Sequence, residues 1–211
     1  MFRHILTAVL LFIFIVPRSV LGQSGDWLLP IAVKDRTTWT SVQLTHIGSY
    51  GLKRKARPGI PAHLHTGIDI QRPLQNYEYE PILPVASGTV ISMRDDGPFA
   101  QIIIEHKLPH EDPVWTVYEH IAGIMVTVGD IVLPHEAIAR FMNRQELERY
   151  GWQFDHVHFE VLKVRPRPLK PTSKTPLRFF STYSLECYTE LDLRKYYYNP
   201  ISFMEERWLH E

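Results

Sequence analysis

Residues 154 to 161 read FDHVHFEV, with two histidines one residue apart inside a run that mixes apolar and polar positions. Phe154, Val157, Phe159 and Val161 are broken up by Asp155, His156, His158 and Glu160. On a strand, residues two apart share a face, so His156 and His158 point together while Val157 and Phe159 point to the core. Two imidazoles on one face are placed to share a metal. The plain alternative, a pair of ordinary half-buried histidines, stays open on this motif alone.

Two further segments carry the same residue types. PAHLHTGIDI, residues 61 to 70, sets His65 and Asp69 four apart, but Pro58, Pro61 and Gly67 argue against a helix. The expectation is a loop carrying His65 that enters a strand near Gly67. An imidazole and a carboxylate suit zinc, and a capping Asp with a surface His is the bland alternative. VYEHIAGIMVTVGDIV, residues 117 to 132, puts Tyr118 and His120 on one face of a strand that turns at Ala122-Gly123. His120 by itself signifies nothing.

Together these read H-x-G-x-D, Y-x-H and H-x-H in chain order. With PVASGTV (84–90), VTVGDIV (126–132) and the closing NPISFM (199–204), the set resembles the lysostaphin-type zinc metallopeptidases, a family of peptidoglycan endopeptidases. The resemblance spans about residues 61 to 162. It implies one zinc ion held by His65, Asp69 and His158, with His120 and His156 as an unligated catalytic pair. Three protein ligands leave one position open, as a catalytic zinc requires. No H-E-x-x-H glutamate is present, so a histidine with a reference pKa near ~6.5 must move the proton. His63 is a rival to His65, disfavoured by the G-x-D spacing. Tyr118 and Trp152 are expected to touch substrate, with Tyr77, Tyr79 and Phe154 along a groove for an extended peptide.

The chain departs from the family pattern in places that would wall such a groove. Trp152 to Asp155 replaces the usual glycine- and threonine-rich turn, the loop 143–151 is longer and charged, and His135 stands where a turn glycine is usual. The inserts 71–81 and 165–198 are unlike the family core. These changes bear on substrate choice more than on metal binding.

The elements that must position these residues read as mostly β. Candidate strands are 31–33, 41–44, 67–70, 89–93, 100–105, 114–120, 137–142 and 157–164, each rich in Val, Ile, Thr or aromatics and bounded by Gly, Pro or Asp. The best helix is Asn143 to Tyr150, with Glu146 three residues after the Asn143 cap. The fold expectation is mainly β: an antiparallel sheet, in a duplicated-hybrid-motif-like barrel or sandwich, with few short helices. Residues 163 to 178, KVRPRPLKPTSKTPLR, hold four prolines, six Lys or Arg and no acid. They are expected to run extended over the surface, as a solvated excursion or a basic strip for an anionic polymer.

Residues 1 to 22 have the form of an export signal: a basic start, an apolar run from Ile5 to Val16, then Pro17 and a small residue at Gly22. An uncleaved membrane anchor is the alternative. The parts are then 1–22 signal, 23–60 N-terminal strands and loop, 61–162 core, 163–198 basic insert and 199–211 closing segment. Lys+Arg and Asp+Glu balance at 23 each, so no global field favours nucleic acid. Cys187 is the single cysteine, which excludes an internal disulfide and leaves the core or a metal to hold an exported chain together. The expected protein is an exported monomeric zinc endopeptidase, periplasmic or cell-wall associated, acting on peptidoglycan peptides, with a regulatory protein partner left open. A scaffold that binds the wall or activates another hydrolase, and a zinc-stabilised secreted binding protein, are the rival readings.

Overall fold

A computed structural model describes residues 27–108 and 110–209. The expected signal, residues 1–22, lies outside them. In chain order the strands and helices are β1 (Lys53–Arg54), β2 (His63–Leu64), β3 (Ile68–Gln71), β4 (Pro81–Ile82), β5 (Gly88–Arg94), β6 (Gln101–His106), β7 (Val114–Glu119), β8 (Ile121–Ala122), β9 (Ile131–Val132), β10 (Ala139–Phe141), α1 (Arg144–Tyr150), β11 (His156–Leu162), β12 (Arg167–Pro168), β13 (Phe180–Ser181), α2 (Glu190–Tyr196), β14 (Tyr197–Tyr198) and α3 (Pro200–Trp208). No helix among the described residues is long and apolar enough to cross a membrane.

The main sheet runs β14-β11-β7-β6-β5-β9, with β3 added against β11, and its pairings are antiparallel. It stays open, and a three-stranded sheet β4-β10-β8 packs across one face to make a sandwich. Ile102, Ile104, Tyr118, Val157 and Phe159 fill that shared core. Ile103, Val117 and Leu162 point to the opposite face, where Cys187, Leu193 and Tyr197 cover them. Three consecutive isoleucines in β6 are therefore all fully buried, because the centre of the sheet has no solvated side.

Only part of that second face is covered. The register pairs Asp69 with His158, His158 with Glu119, and Glu119 with Gln101 in one row across β3, β11, β7 and β6. Paired residues share a face, so this row continues the face of Ile103 and Val117 but opens into a groove. His120 sits just past the end of β7 with φ +63. A left-handed residue there breaks the alternation. Tyr118 consequently enters the core while His120 reaches the groove, so the expected shared face is not found.

The shortest expected strands shrink to single bridges, Ile31 with Ile82 and Leu44 with Ile70. Thr38 instead caps a 3-10 turn at Trp39–Ser41, accepting from the Thr40 amide. Asn143 caps α1 and forms the reciprocal capping box with Glu146. Two helices were not anticipated. Thr189 and Asp192 form a second capping box on α2, and Asn199-Pro200 opens α3. The basic segment also departs from expectation, because Arg167 and Pro168 pair with Ser181 and Phe180 as a minimal hairpin.

Gly67 joins the His65 loop to β3, and a Cβ there would fall on the Phe159 carbonyl oxygen of β11. That close approach is what lets β3 lie against the H-x-H strand. Gly67→Ala is expected to lower stability by about 1–3 kcal/mol, as overpacking of a fixed backbone does. Urea unfolding of the full chain measures it; an unchanged midpoint would contradict the close approach.

Candidate metal centre

His65 Nε2, Asp69 Oδ1 and His158 Nδ1 form a nearly equilateral triangle. His65 lies 2.9 Å from His158, His158 lies 2.9 Å from Asp69, and His65 lies 3.0 Å from Asp69. The three residues come from a loop, β3 and β11, and they make a cluster able to hold a metal ion. The outward atoms decide which lone pairs face inward. His65 Nδ1 donates to the Ser49 carbonyl at 3.0 Å, and His158 Nε2 donates to Glu160 Oε1 at 3.0 Å. A ring that donates from one nitrogen in its neutral form carries its lone pair on the other. His65 therefore aims a lone pair into the triangle, and His158 does so once its Nδ1 proton is lost. Asp69 offers one oxygen because Arg54 holds the other at 2.7 Å.

The donor set fits a tetrahedral ion. Donors at ~2.0–2.2 Å with tetrahedral angles stand roughly 3.4 Å apart, so the triangle needs to open by only about 0.4 Å. Each imidazole already has the outer hydrogen bond that orients a metal-ligating histidine. His156 and His120 flank the triangle without joining it. His156 Nε2 stands 3.6 Å from Asp69 Oδ1, and the His120 ring lies 4.9 Å from that of His156 and 6.2 Å from that of His158. His120 Nδ1 donates to the Pro98 carbonyl at 2.6 Å, which leaves its Nε2 as the acceptor. All five line one groove of about 900 Å³.

Residues 63–171 match peptidase family M23. The chain belongs to peptidase family M23. Among solved structures, the M23 chain is similar to lysostaphin from Staphylococcus simulans (18% identity, 77% of this chain and 55% of that one, TM-score 0.41). A zinc-containing peptidase from Vibrio cholerae (25% identity, 63% and 35%, TM-score 0.42) and the SpoIIIAH–SpoIIQ complex (21% identity, 63% and 89%, TM-score 0.43) are similar too. The chain thus spans about half of the lysostaphin structure and about a third of the Vibrio one. A comparison with curated proteins finds no match.

In this M23 chain the five histidine and aspartate positions singled out from sequence come together; the two aromatic ones do not join them. Tyr118 is fully buried, with its hydroxyl accepting from the Val85 amide at 3.0 Å, so it cannot touch a substrate. Trp152 packs on Tyr77 and beneath Arg144, and the groove is lined instead by its neighbours Gln153 and Phe154. Tyr77 and Tyr79 also lie outside the lining. His63, the rival ligand, turns its ring to the Pro61 carbonyl at 2.8 Å. Asp155, just before the H-x-H pair, accepts from Arg72 at 2.8 Å. Sequence reasoning missed Ser49, Arg54, Thr66 and Pro98, whose parts in the site depend on contacts distant along the chain. Glu160, the next polar residue after His158 on the same strand, supplies the outer partner of that ring.

Burial shapes the charge states. It pushes the pKa of His65 and His120 down, and that of His156 to about 3, so these rings stay neutral. Burial opposes charge on His158 as well, but hydrogen bonds to Asp69 and Glu160 outweigh it and raise its pKa to about 10. Burial also disfavours the Asp69 anion, yet His158 and His65 hold its carboxyl well below the usual carboxylate range. An ion entering the triangle must therefore displace the Nδ1 proton of His158, which is bound below about pH 10. Apparent Zn2+ affinity of the full chain is expected to fall about tenfold for each unit of pH lowered between roughly pH 8 and pH 6. Calorimetry in two buffers of different ionisation enthalpy reads the released proton, and a pH-independent affinity would contradict this.

Proposed function

We propose that this M23 chain is an exported zinc metalloendopeptidase that hydrolyses peptide bonds in the stem peptides or cross-links of peptidoglycan. The observation that carries the reading is the triangle of His65 Nε2, Asp69 Oδ1 and His158 Nδ1, flanked by two neutral histidines that it does not use. A structural metal site needs no such pair.

His65, Asp69 and His158 would hold the ion, which when bound supplies a Lewis acid that acidifies water and polarises a carbonyl. The chain's own part in the reaction is positioning and proton transfer. His120, neutral and with Nδ1 committed to Pro98, presents Nε2 to accept the proton of the attacking water. The same nitrogen returns that proton to the leaving amine. His156, equally neutral, offers a hydrogen bond to the carbonyl oxygen as negative charge develops there. Arg54 keeps Asp69 turned to the triangle by holding its second oxygen. An extended peptide fits the open groove between the β1 side and the hairpin side. Export agrees with the signal-like residues 1–22 and with a substrate outside the cytoplasm.

The test is digestion of purified peptidoglycan by the zinc-loaded protein, with fragments identified by mass. Chelation should abolish peptide-bond cleavage, and His120→Ala should lower the rate by about 10²-fold or more while leaving zinc bound. Intact peptidoglycan, or equal effects of wild type and variant, would turn the reading towards a wall-binding scaffold.

A further inference from the structure

The basic insert that the sequence set apart returns one of its cations to the groove. Around Arg178 the chain is stapled to β5. The Met93 amide donates to the Leu177 carbonyl at 3.0 Å, and the Phe179 and Phe180 amides donate to Ser92 Oγ at 3.0 and 3.1 Å. The β12–β13 hairpin adds a second tie. Arg178 is thereby held against the sheet, and it lines the groove with Gln101, Glu119, His120 and His156.

Its guanidinium is left without a partner. Nε is buried and has no hydrogen bond, and Arg178 makes no ion pair among the described residues. Of the other groove arginines, Arg57 is exposed to solvent, whereas Arg54 and Arg94 are engaged. Arg54 is on Asp69, while Arg94 is on Asp96 at 3.2 Å and on the Phe99 carbonyl at 2.5 Å. Asp96 and Glu119, the carboxylates near enough to favour the Arg178 cation, are both engaged elsewhere: Asp96 with Arg94, and Glu119 in accepting from Gln101 beside Arg94. A second groove carboxylate, Glu186, pairs with Arg167 at 2.7 Å. Burial and the Arg94 charge disfavour the Arg178 cation as it stands. A half-buried guanidinium whose buried Nε–H has no partner is stabilised by a planar anion that meets two of its donors at once.

We propose that Arg178 is the anchor of a carboxylate subsite, which binds a free carboxylate of the peptide beside the scissile bond. The ligand class is a peptide bearing an α- or side-chain carboxylate rather than its carboxamide. This rests on the peptidase reading and adds a preference to it. The opposite wall, with exposed Lys53, Lys55 and Arg57, makes the approach to the subsite cationic as well.

Binding tests it apart from catalysis. Calorimetry on the chelator-treated full chain compares a stem peptide with free carboxylates against the same peptide amidated at the side-chain position, the C-terminus, or both. The wild type is expected to bind the free acid at least about tenfold more tightly than the doubly amidated peptide, with one single amidation accounting for most of the loss and so identifying the carboxylate. Arg178→Gln should reduce the difference to less than about twofold, and Arg178→Lys should retain part of it as a point charge. Equal binding of acid and amide by the wild type, or a preference that survives in Arg178→Gln, would overturn the subsite. If Arg178→Gln fails to fold, the wild-type comparison and the lysine variant decide alone. Absence of hydrolysis by the zinc-loaded protein would instead count against the peptidase reading, whatever the binding preference.

Discussion

Three lone pairs aimed at one point are an unfavourable thing for a protein to hold together. Two imidazole nitrogens and a carboxylate oxygen within about hydrogen-bonding distance repel unless a proton or a cation lies between them. In this chain the proton is supplied by His158, trapped between Asp69 and Glu160. The rest of the site follows from that constraint. Arg54 offsets the charge of Asp69, Thr66 donates to the buried Glu160, and the Ser49 carbonyl turns the His65 ring. A divalent cation in the triangle replaces the proton and would also balance the buried Glu160 through His158.

The sheet is built to hold that arrangement. β3 and β11 pair in register with Asp69 opposite His158, so two of the three donors are fixed by backbone hydrogen bonds rather than by flexible side chains. Gly67 permits the approach, and the left-handed backbone at His120 swings a residue that would follow Tyr118 into the core out to the groove instead. Strain of this kind is tolerated where a function depends on it. The insert then covers the apolar half of the same sheet face with Cys187, Leu193 and Tyr197 while adding a wall to the polar half.

Much of this was legible because it depends on short periods. Alternation over residues 156 to 161 gave the face shared by His156 and His158, and the β-branched runs gave β5, β6, β7 and β11. Of the two histidines weighed from the spacing, His65 lies next to Asp69 and His158, while His63 turns to the Pro61 carbonyl. Tyr118 failed as a groove residue because one positive φ at His120 is invisible in a pattern of period two. Trp152 lies in a 3-10 turn, where a period-two pattern says nothing of the direction of a side chain. Arg54 and Arg178 carry no motif, and their places depend on contacts with β3 and β5 that bring distant segments together. The cap signals of α2 and α3 were present in Thr189-Asp192, within the stretch read as insert, and in Asn199-Pro200, at the start of the closing segment.

The central claim is that one ion is held by three side chains with a fourth position free. Diffraction from zinc-soaked crystals at the zinc absorption edge tests it most directly. The account predicts a single anomalous peak about 2.0–2.2 Å from His65 Nε2, Asp69 Oδ1 and His158 Nδ1, with no fourth side chain of this chain bound to it. A peak elsewhere, or one closed off by His63, His120 or His156 as a fourth ligand, would contradict it.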